Sequence, residues 1–501
     1  MDHLTSQAAA SPEVRTIAGG QIRGTLDGGV LRFLSVPYAA PPVDQNRFKE
    51  PRSVEPWSGI RDATVAGSCA PHRIRDFPKI DVVPLVGTGG LEGGDYLTLN
   101  IWAPVDAEKA PVMVWIHGGG FVVGSKDASV QDGSEFAKSG VVCVAVNYRM
   151  GIDGFLPIPG VPTNLGLRDM LFALRWVQDN IARFGGDPSN VTLFGESAGA
   201  MAIADLVTSP LAEGLFKRAI VESGHGAMVR EIPVAQRLVR KLARVLKIEP
   251  TASGFASVGP EQAWKAMEKV AKPFARLDLR DAAGFEPVFG ISRFVPVWGD
   301  DVLPEKPIDA LRQGAGSDIE VLIGTNSAEM NLYFVPTKVR DKAPRLLLKW
   351  LLRKSHPDAK GALKAYGWGT GPKHGHAFTA AMSDLVFRWP ARRFAEEHRG
   401  RTFVYDFDWH SPACEGELGA AHGMEVPFVF KTLNIVSGAN GLVGNNPPQG
   451  LAERIHRTWV GFATDGTLPW PEFDRDNRNV RLLAADRTID EAPMPAAAFL
   501  P

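Results

Sequence analysis

The 501-residue chain carries 55 basic and 56 acidic residues, a formal charge of −1, so no global field draws it towards nucleic acid or an anionic membrane. Apolar residues at 45% and charged residues at 22% are globular proportions, and the length suits two or three ordinary domains or one large α/β domain with insertions. The three cysteines, Cys69, Cys143 and Cys414, show no C-x-x-C spacing, which argues against a disulfide scaffold or a zinc site and fits a reducing compartment.

Met1 to Val14 is polar and Ala/Ser-rich without an apolar core, unlike a signal peptide. No apolar run reaches the roughly 20 residues that span a bilayer, so membrane insertion is not expected; the cytoplasm is the default, with secretion left open if a leader has been removed. Thr16 to Arg23 and Gly29 to Ser35 read as strands joined by a turn at Thr25-Leu26-Asp27-Gly28. Arg61 to Gly94 reads as loop. Leu97 to Ala103 alternates as a strand does, and Val112 to Ile116 is a stronger, buried strand.

That strand empties into His117-Gly118-Gly119-Gly120-Phe121. Successive glycines after a core strand let bare N–H groups face a cavity, a geometry suited to an anion. His117, tied to a strand end, reads as a brace for this loop. Val141 to Asn147 is another central strand, apolar on both faces. Arg168 to Phe184 reads as a helix with Leu171, Leu174, Trp176 and Val177 inward.

Asn190 to Phe194 is a short strand and Ala198 to Leu206 a small-residue helix, with Gly195-Glu196-Ser197-Ala198-Gly199 between them. A serine on so sharp a turn is forced into a strained backbone and projects over the sheet edge. Glycine two positions to either side lets strand and helix pass each other, and the Ala198 N–H lies at a helix N-terminus, where it can meet an oxyanion. Ala219 to Glu222 begins the next strand. Strand and helix alternate as in a doubly wound, mostly parallel α/β sheet.

Val234 to Leu246 and Pro260 to Ala271 read as helices, Ile319 to Gly324 as a returning strand, and Lys342 to Lys364 as basic helix broken near Pro357. The helical stretches at about 225–310 and 335–400 read as a cap over a pocket. Thr402 to Asp408 is a last strand and Ala452 to Thr464 a last helix. No linker divides the chain.

Ser197 needs a base, and the base an acid. Glu329 follows the Ile319 strand in a post-strand loop, the position the acid takes in a nucleophile, acid, histidine order. His422 lies between small residues and the apolar run Val426-Pro427-Phe428-Val429-Phe430, while His410, after the Thr402 strand, competes with it.

The chain resembles the type-B carboxylesterases, which include bacterial para-nitrobenzyl esterases, animal carboxylesterases and cholinesterases. The likeness is carried by Phe33 to Ala39, Trp115 to Phe121, Asn147-Tyr148-Arg149, Phe184 to Pro188, the Ser197 turn and His422 to Phe430, across nearly the whole length. It implies an α/β-hydrolase fold with an antiparallel N-terminal part and helices on both faces. It also implies Ser197 as nucleophile, His422 as base, Glu329 as acid, an oxyanion hole from Gly119, Gly120 and Ala198, and Glu196 and Ser223 as buried supports. Neither cofactor nor metal is implied. Two departures stand out. Gly94-Asp95-Tyr96-Leu97 lacks the cysteine that the resemblance would pair with Cys69, and Met330 follows Glu329 where a glycine is common.

The expected chemistry is ester hydrolysis through an acyl-enzyme, on a small-molecule substrate, by a monomer or homodimer. Phe121, Met201, Phe428 and Phe430 are expected pocket walls, favouring an apolar acyl or alcohol group. The rivals are amide or carbamate cleavage, non-hydrolytic chemistry on the same residues, and a binding protein that has lost catalysis.

Overall fold

Alternating polar and apolar residues at the start of the chain make an antiparallel edge. The computed structural model describes residues 11–74, 77–369 and 374–500. In it β1 (Ser11–Ile17), β2 (Gly20–Asp27) and β3 (Val30–Pro37) pair as successive hairpins. The expected strand over Thr16 to Arg23 is therefore two strands. The chain turns at Ala18-Gly19, where a Cβ on Gly19 would lie 2.2 Å from the Trp57 ring. The expected turn at Thr25 to Gly28 moves to Gly28-Gly29 (φ 54° and 80°), because two consecutive positive φ values suit a two-residue hairpin loop. The Met1 to Val14 reading falls mainly on residues 1–10, outside the described residues.

The remaining strands are β4 (Ile60–Asp62), β5 (Thr98–Pro104), β6 (Ala110–Ile116), β7 (Val142–Val146), β8 (Gly186–Glu196), β9 (Arg218–Glu222), β10 (Arg230–Glu231), β11 (Val297–Trp298), β12 (Glu320–Asn326), β13 (Thr402–Phe407), β14 (Asn479–Leu482) and β15 (Arg487–Asp490). One sheet runs β1-β2-β3-β5-β7-β6-β8-β9-β12-β13-β14-β15, with β4 on β2, while β10 and β11 pair separately. Along this order neighbours are parallel from β7 to β14 and antiparallel on either side, while the short β4 runs parallel to β2. This is the mostly parallel sheet with an antiparallel N-terminal part that the sequence implied.

The central strands are apolar on both faces, and alternation sorts their side chains into two cores. Val112, Val114 and Ile116 of β6 pack into one, Met113 and Trp115 into the other. The helix α1 (Leu165–Asn180) continues as a 3₁₀ turn through Phe184 and buries Leu171, Leu174, Trp176 and Val177. At its start Asp169 grips Arg149, which is 1% exposed, through Nε at 2.8 Å and Nη2 at 2.6 Å. The helix α2 (Ala198–Val207) leaves the end of β8. Later in the chain lie α3 (Ile232–Leu246), α4 (Pro260–Ala271), α5 (Arg345–Arg353), α6 (Ala359–Ala365) and α7 (His374–Ser383), and α8 (Gln449–Asp465) closes the second core. Residues 354–358 separate α5 from α6, so the helix expected from Lys342 to Lys364 breaks next to Pro357.

Candidate active site

Ser197 sits between β8 and α2 at φ 55° and ψ −122°. A residue with a side chain holds such a backbone only when its surroundings fix it. Here Ser197 N–H donates to Glu222 O (2.9 Å). The flanking glycines bring the helix against β6, since a Cβ on Gly195 or Gly199 would lie 2.5 or 1.9 Å from Ile116 O. Ser197 Oγ is thereby lifted to 2.8 Å from His422 Nε2, to which it can donate.

His422 arrives on a loop after β13 and Glu329 on the loop after β12. Its Nδ1–H donates to Glu329 Oε2 (2.6 Å), and its backbone N–H donates to Glu329 O (3.1 Å), so ring and main chain are fixed together. Glu329 Oε1 accepts from Ser223 Oγ (2.7 Å) and Asn326 N–H (2.8 Å). Ser197, His422 and Glu329 therefore meet in one file. His410, the competing histidine, is exposed on the surface.

The glycine loop after β6 faces the same space. Gly119 and Gly120 have φ of 107° and 62°, and a Cβ on Gly119 would lie 2.1 Å from Val123 O. His117 stacks on Tyr148 (4.4 Å, 17°), whose hydroxyl donates to His117 O (2.8 Å). Burial pushes this imidazole down to about 4, so it stays neutral and braces the loop. Gly119, Gly120 and Ala198 line a cavity of about 330 Å³ together with Ser197 and His422.

Two expected wall residues, Phe121 and Met201, line that cavity, beside Met228, Trp264, Phe294 and Phe387. Phe428 and Phe430 do not. They are buried in the second core, Phe430 against Trp115 and Phe136, Phe428 against Phe407 and Trp409. The short helix Val426–Val429 turns these rings away from the cavity, and Val426 lines it instead.

The charge around His422 is concentrated. Glu196 Oε1 lies 3.0 Å from His422 Nε2 without hydrogen-bond geometry, so that contact is electrostatic. Behind Glu329, Glu425 accepts from Asn326 Nδ2 (2.6 Å) and Ser223 Oγ (3.3 Å), and Glu222 accepts from Trp459 Nε1 (2.8 Å). Burial raises Glu196 to about 7 and, helped by the charges of Glu196 and Glu329, Glu425 to about 8. Burial opposes a charged His422, but the carboxylates of Glu196 and Glu329 outweigh it and raise the imidazole to about 9. Glu425, Asn326 and Phe387, whose ring lies 4.4 Å from that of His422, were not singled out from the sequence. An isolated glutamate three residues after His422, inside an apolar run, was the available signal for Glu425.

A serine on a strand-to-helix turn above a parallel sheet, with an acid and a histidine on later post-strand loops, defines an α/β-hydrolase. The chain belongs to the carboxylesterase family, whose sequence model matches residues 10–492. It is similar to the para-nitrobenzyl esterase of Bacillus subtilis (strain 168), 35% identical over 96% of both chains. The phenmedipham hydrolase of Pseudarthrobacter oxydans is 33% identical over 96% of both. Among solved structures, the Geobacillus stearothermophilus carboxylesterase superposes with a TM-score of 0.82 at 32% identity, over 97% of this chain and 100% of its own. The protein is a carboxylic ester hydrolase acting on small-molecule esters. Among the described residues no helix is long and apolar enough to cross a membrane.

Proposed function

We propose that Ser197, His422 and Glu329 carry the hydrolysis as nucleophile, base and acid through an acyl-enzyme, on esters with an apolar acyl or alcohol group. The observation that carries this reading is the unbroken file from Ser197 Oγ through the imidazole to Glu329, at 2.8 and 2.6 Å, on the wall of a largely apolar cavity. His422 Nε2 takes the Ser197 proton as Oγ attacks the carbonyl carbon, and Glu329 holds the imidazole in the tautomer that leaves Nε2 free. The developing oxyanion is received by the N–H groups of Gly119, Gly120 and Ala198, where losing one donor costs roughly 100-fold or more in rate. The protonated imidazole then donates to the leaving alcohol, and water releases the acid by the same steps in reverse roles.

Glu196 and Ser223 act as supports, one by its charge beside Nε2 and the other by holding Glu329. Walls from 225–310 (Met228, Trp264, Phe294) and from 335–400 (Phe387) support reading the chain as one catalytic unit with helical insertions as its cap. Every group in the file comes from one chain, which supports action as a monomer or within a homodimer. The free thiols of Cys69, Cys143 and Cys414 support a reducing, cytoplasmic location.

The test is hydrolysis of p-nitrophenyl esters from acetate to laurate, and of a p-nitrobenzyl ester, by wild type and Ser197→Ala. Wild-type turnover that disappears in the variant is expected, with the preferred chain length sizing the acyl pocket. Turnover that survives Ser197→Ala would sink the assignment.

A further inference from the structure

Beside the cavity that holds Ser197 lies a larger one of about 720 Å³, bounded by residues 273–293 and by α5 and α7. The two share Ile291, Arg293 and Tyr333 as a common wall. Ser292 Oγ donates to Gly120 O (2.7 Å), tying this wall to the glycine loop of the catalytic cavity.

The larger cavity is lined by five cationic side chains, Arg276, Arg280, Arg293, Arg353 and Lys354, against two carboxylates, Asp278 and Glu286. Asp278 is engaged by Arg280 through two hydrogen bonds of 2.9 and 2.7 Å. Glu286 is shared, since Arg293 Nη1 (2.8 Å) and Arg230 Nη2 (3.0 Å) reach the same Oε1. One carboxylate between two guanidinium groups leaves a surplus positive charge, and both arginines are buried, at 8% and 3% exposure. The Nε–H of Arg293 is itself buried and has no hydrogen-bond partner among the described residues. A guanidinium so desolvated, sharing one carboxylate with a second arginine, keeps uncompensated positive charge, and an anion entering the cavity that Arg293 lines would offset it. Apart from Ser355, the other walls are mainly apolar, among them Met330, Phe334 and Phe378.

We propose that Arg293 recognises an ionised carboxylate carried by the substrate away from the scissile ester, so that the enzyme prefers esters bearing a second carboxylate to neutral esters of equal length. The proposal rests on Ser197 as the nucleophile of the adjoining cavity. The substrate class is the monoester of a dicarboxylic acid or the ester of a carboxylate-bearing alcohol, with an apolar chain between the two groups.

The experiment compares mono-p-nitrobenzyl esters of adipic to sebacic acid with p-nitrobenzyl alkanoates of matched length, and p-carboxybenzyl alkanoates with their benzyl counterparts. The expected result is a kcat/KM ratio favouring the anionic ester by about ten-fold or more in at least one series, expressed mainly in KM. Arg293→Gln should bring that ratio towards one, and Arg293→Lys should keep part of it. Should the variants fail to fold, wild type still decides, because an alkanoate should compete with a neutral ester about ten-fold better than the alkanol of the same length. Neutral esters turned over by Ser197 with no preference for the anionic partner, or a preference untouched by Arg293→Gln, would overturn the proposal alone. Silence on both series would remove the nucleophile reading and the proposal with it.

Discussion

At Ser197 the backbone at φ 55° and ψ −122° is held by a main-chain hydrogen bond to Glu222 and by glycines on either side, and the hydroxyl has His422 at 2.8 Å. The imidazole in turn depends on Glu329. Replacing that carboxylate by the isosteric amide, Glu329→Gln, keeps the shape but removes the anion that fixes the tautomer, and should lower kcat by about 10²-fold or more. Burst kinetics with a p-nitrophenyl ester would read the loss at the acylation step. The acid side of the pH profile belongs to the same residues. His422 must be neutral to accept the proton, and it is raised to about 9, so kcat/KM should climb from neutral pH towards 9. Glu196 is the first of the carboxylates that raise it, so Glu196→Gln should move this limb to lower pH. A limb left in place in Glu196→Gln would mean that Glu196 does not tune the base. Ser197, Glu329 and His422, which the structure brings into hydrogen-bonding reach of one another, could be singled out because each sits at a recognisable junction of strand and loop. Glu425 could not, because a carboxylate whose titration is shifted by its own burial and by charges remote in sequence has no local sequence mark beyond its apolar surroundings.

Among the elements, the elbow is decided by the fit of α2 against β6. A methyl group on Gly199 would press 1.9 Å from Ile116 O, and the backbone there has no flexible tip to yield. Gly199→Ala should therefore cost about 1–3 kcal/mol of stability and most of the activity, seen as a lower midpoint in thermal unfolding alongside the assay. The buried centres of β6 to β9 and β12 were readable because short continuous apolar runs leave little choice of structure, whereas the polar start of β8, Gly186 to Ser189, carries no such mark. The first hairpins were misplaced by a few residues because Gly19-Gly20 and Gly28-Gly29 offer two turn sites, and Trp57, packed over the first pair, is remote in sequence. Phe428 and Phe430 show the same limit. An apolar run beside His422 does not reveal which face each ring will take, and here the rings fill the second core, Phe430 against Trp115 and Phe428 against Trp409.

Across the whole molecule, three groups of the site make stability depend on pH in one direction. Glu196 and Glu425 are raised to about 7 and 8, and His422 to about 9. Each holds its proton more tightly folded than unfolded, so each contributes stability that is complete below its unfolded pKa and is lost as pH rises through the folded one. Thermal unfolding midpoints should fall between pH 7 and 9. Glu425→Gln keeps an acceptor for Asn326 and Ser223 without the titration, so its midpoint should gain on wild type as pH rises. A difference that stays constant over that range would refute this role.

Asn326, Ser223 and Glu425 knot together three segments that lie about a hundred residues apart along the chain. The strands β5 to β8 can pair among themselves early, but Ser197 gains its partner only when a residue 225 positions later has docked. Contacts of such separation form late in folding. A refolding chain should therefore regain its far-ultraviolet dichroism before it regains turnover, with the Ser197 turn already formed while His422 has yet to dock beside it.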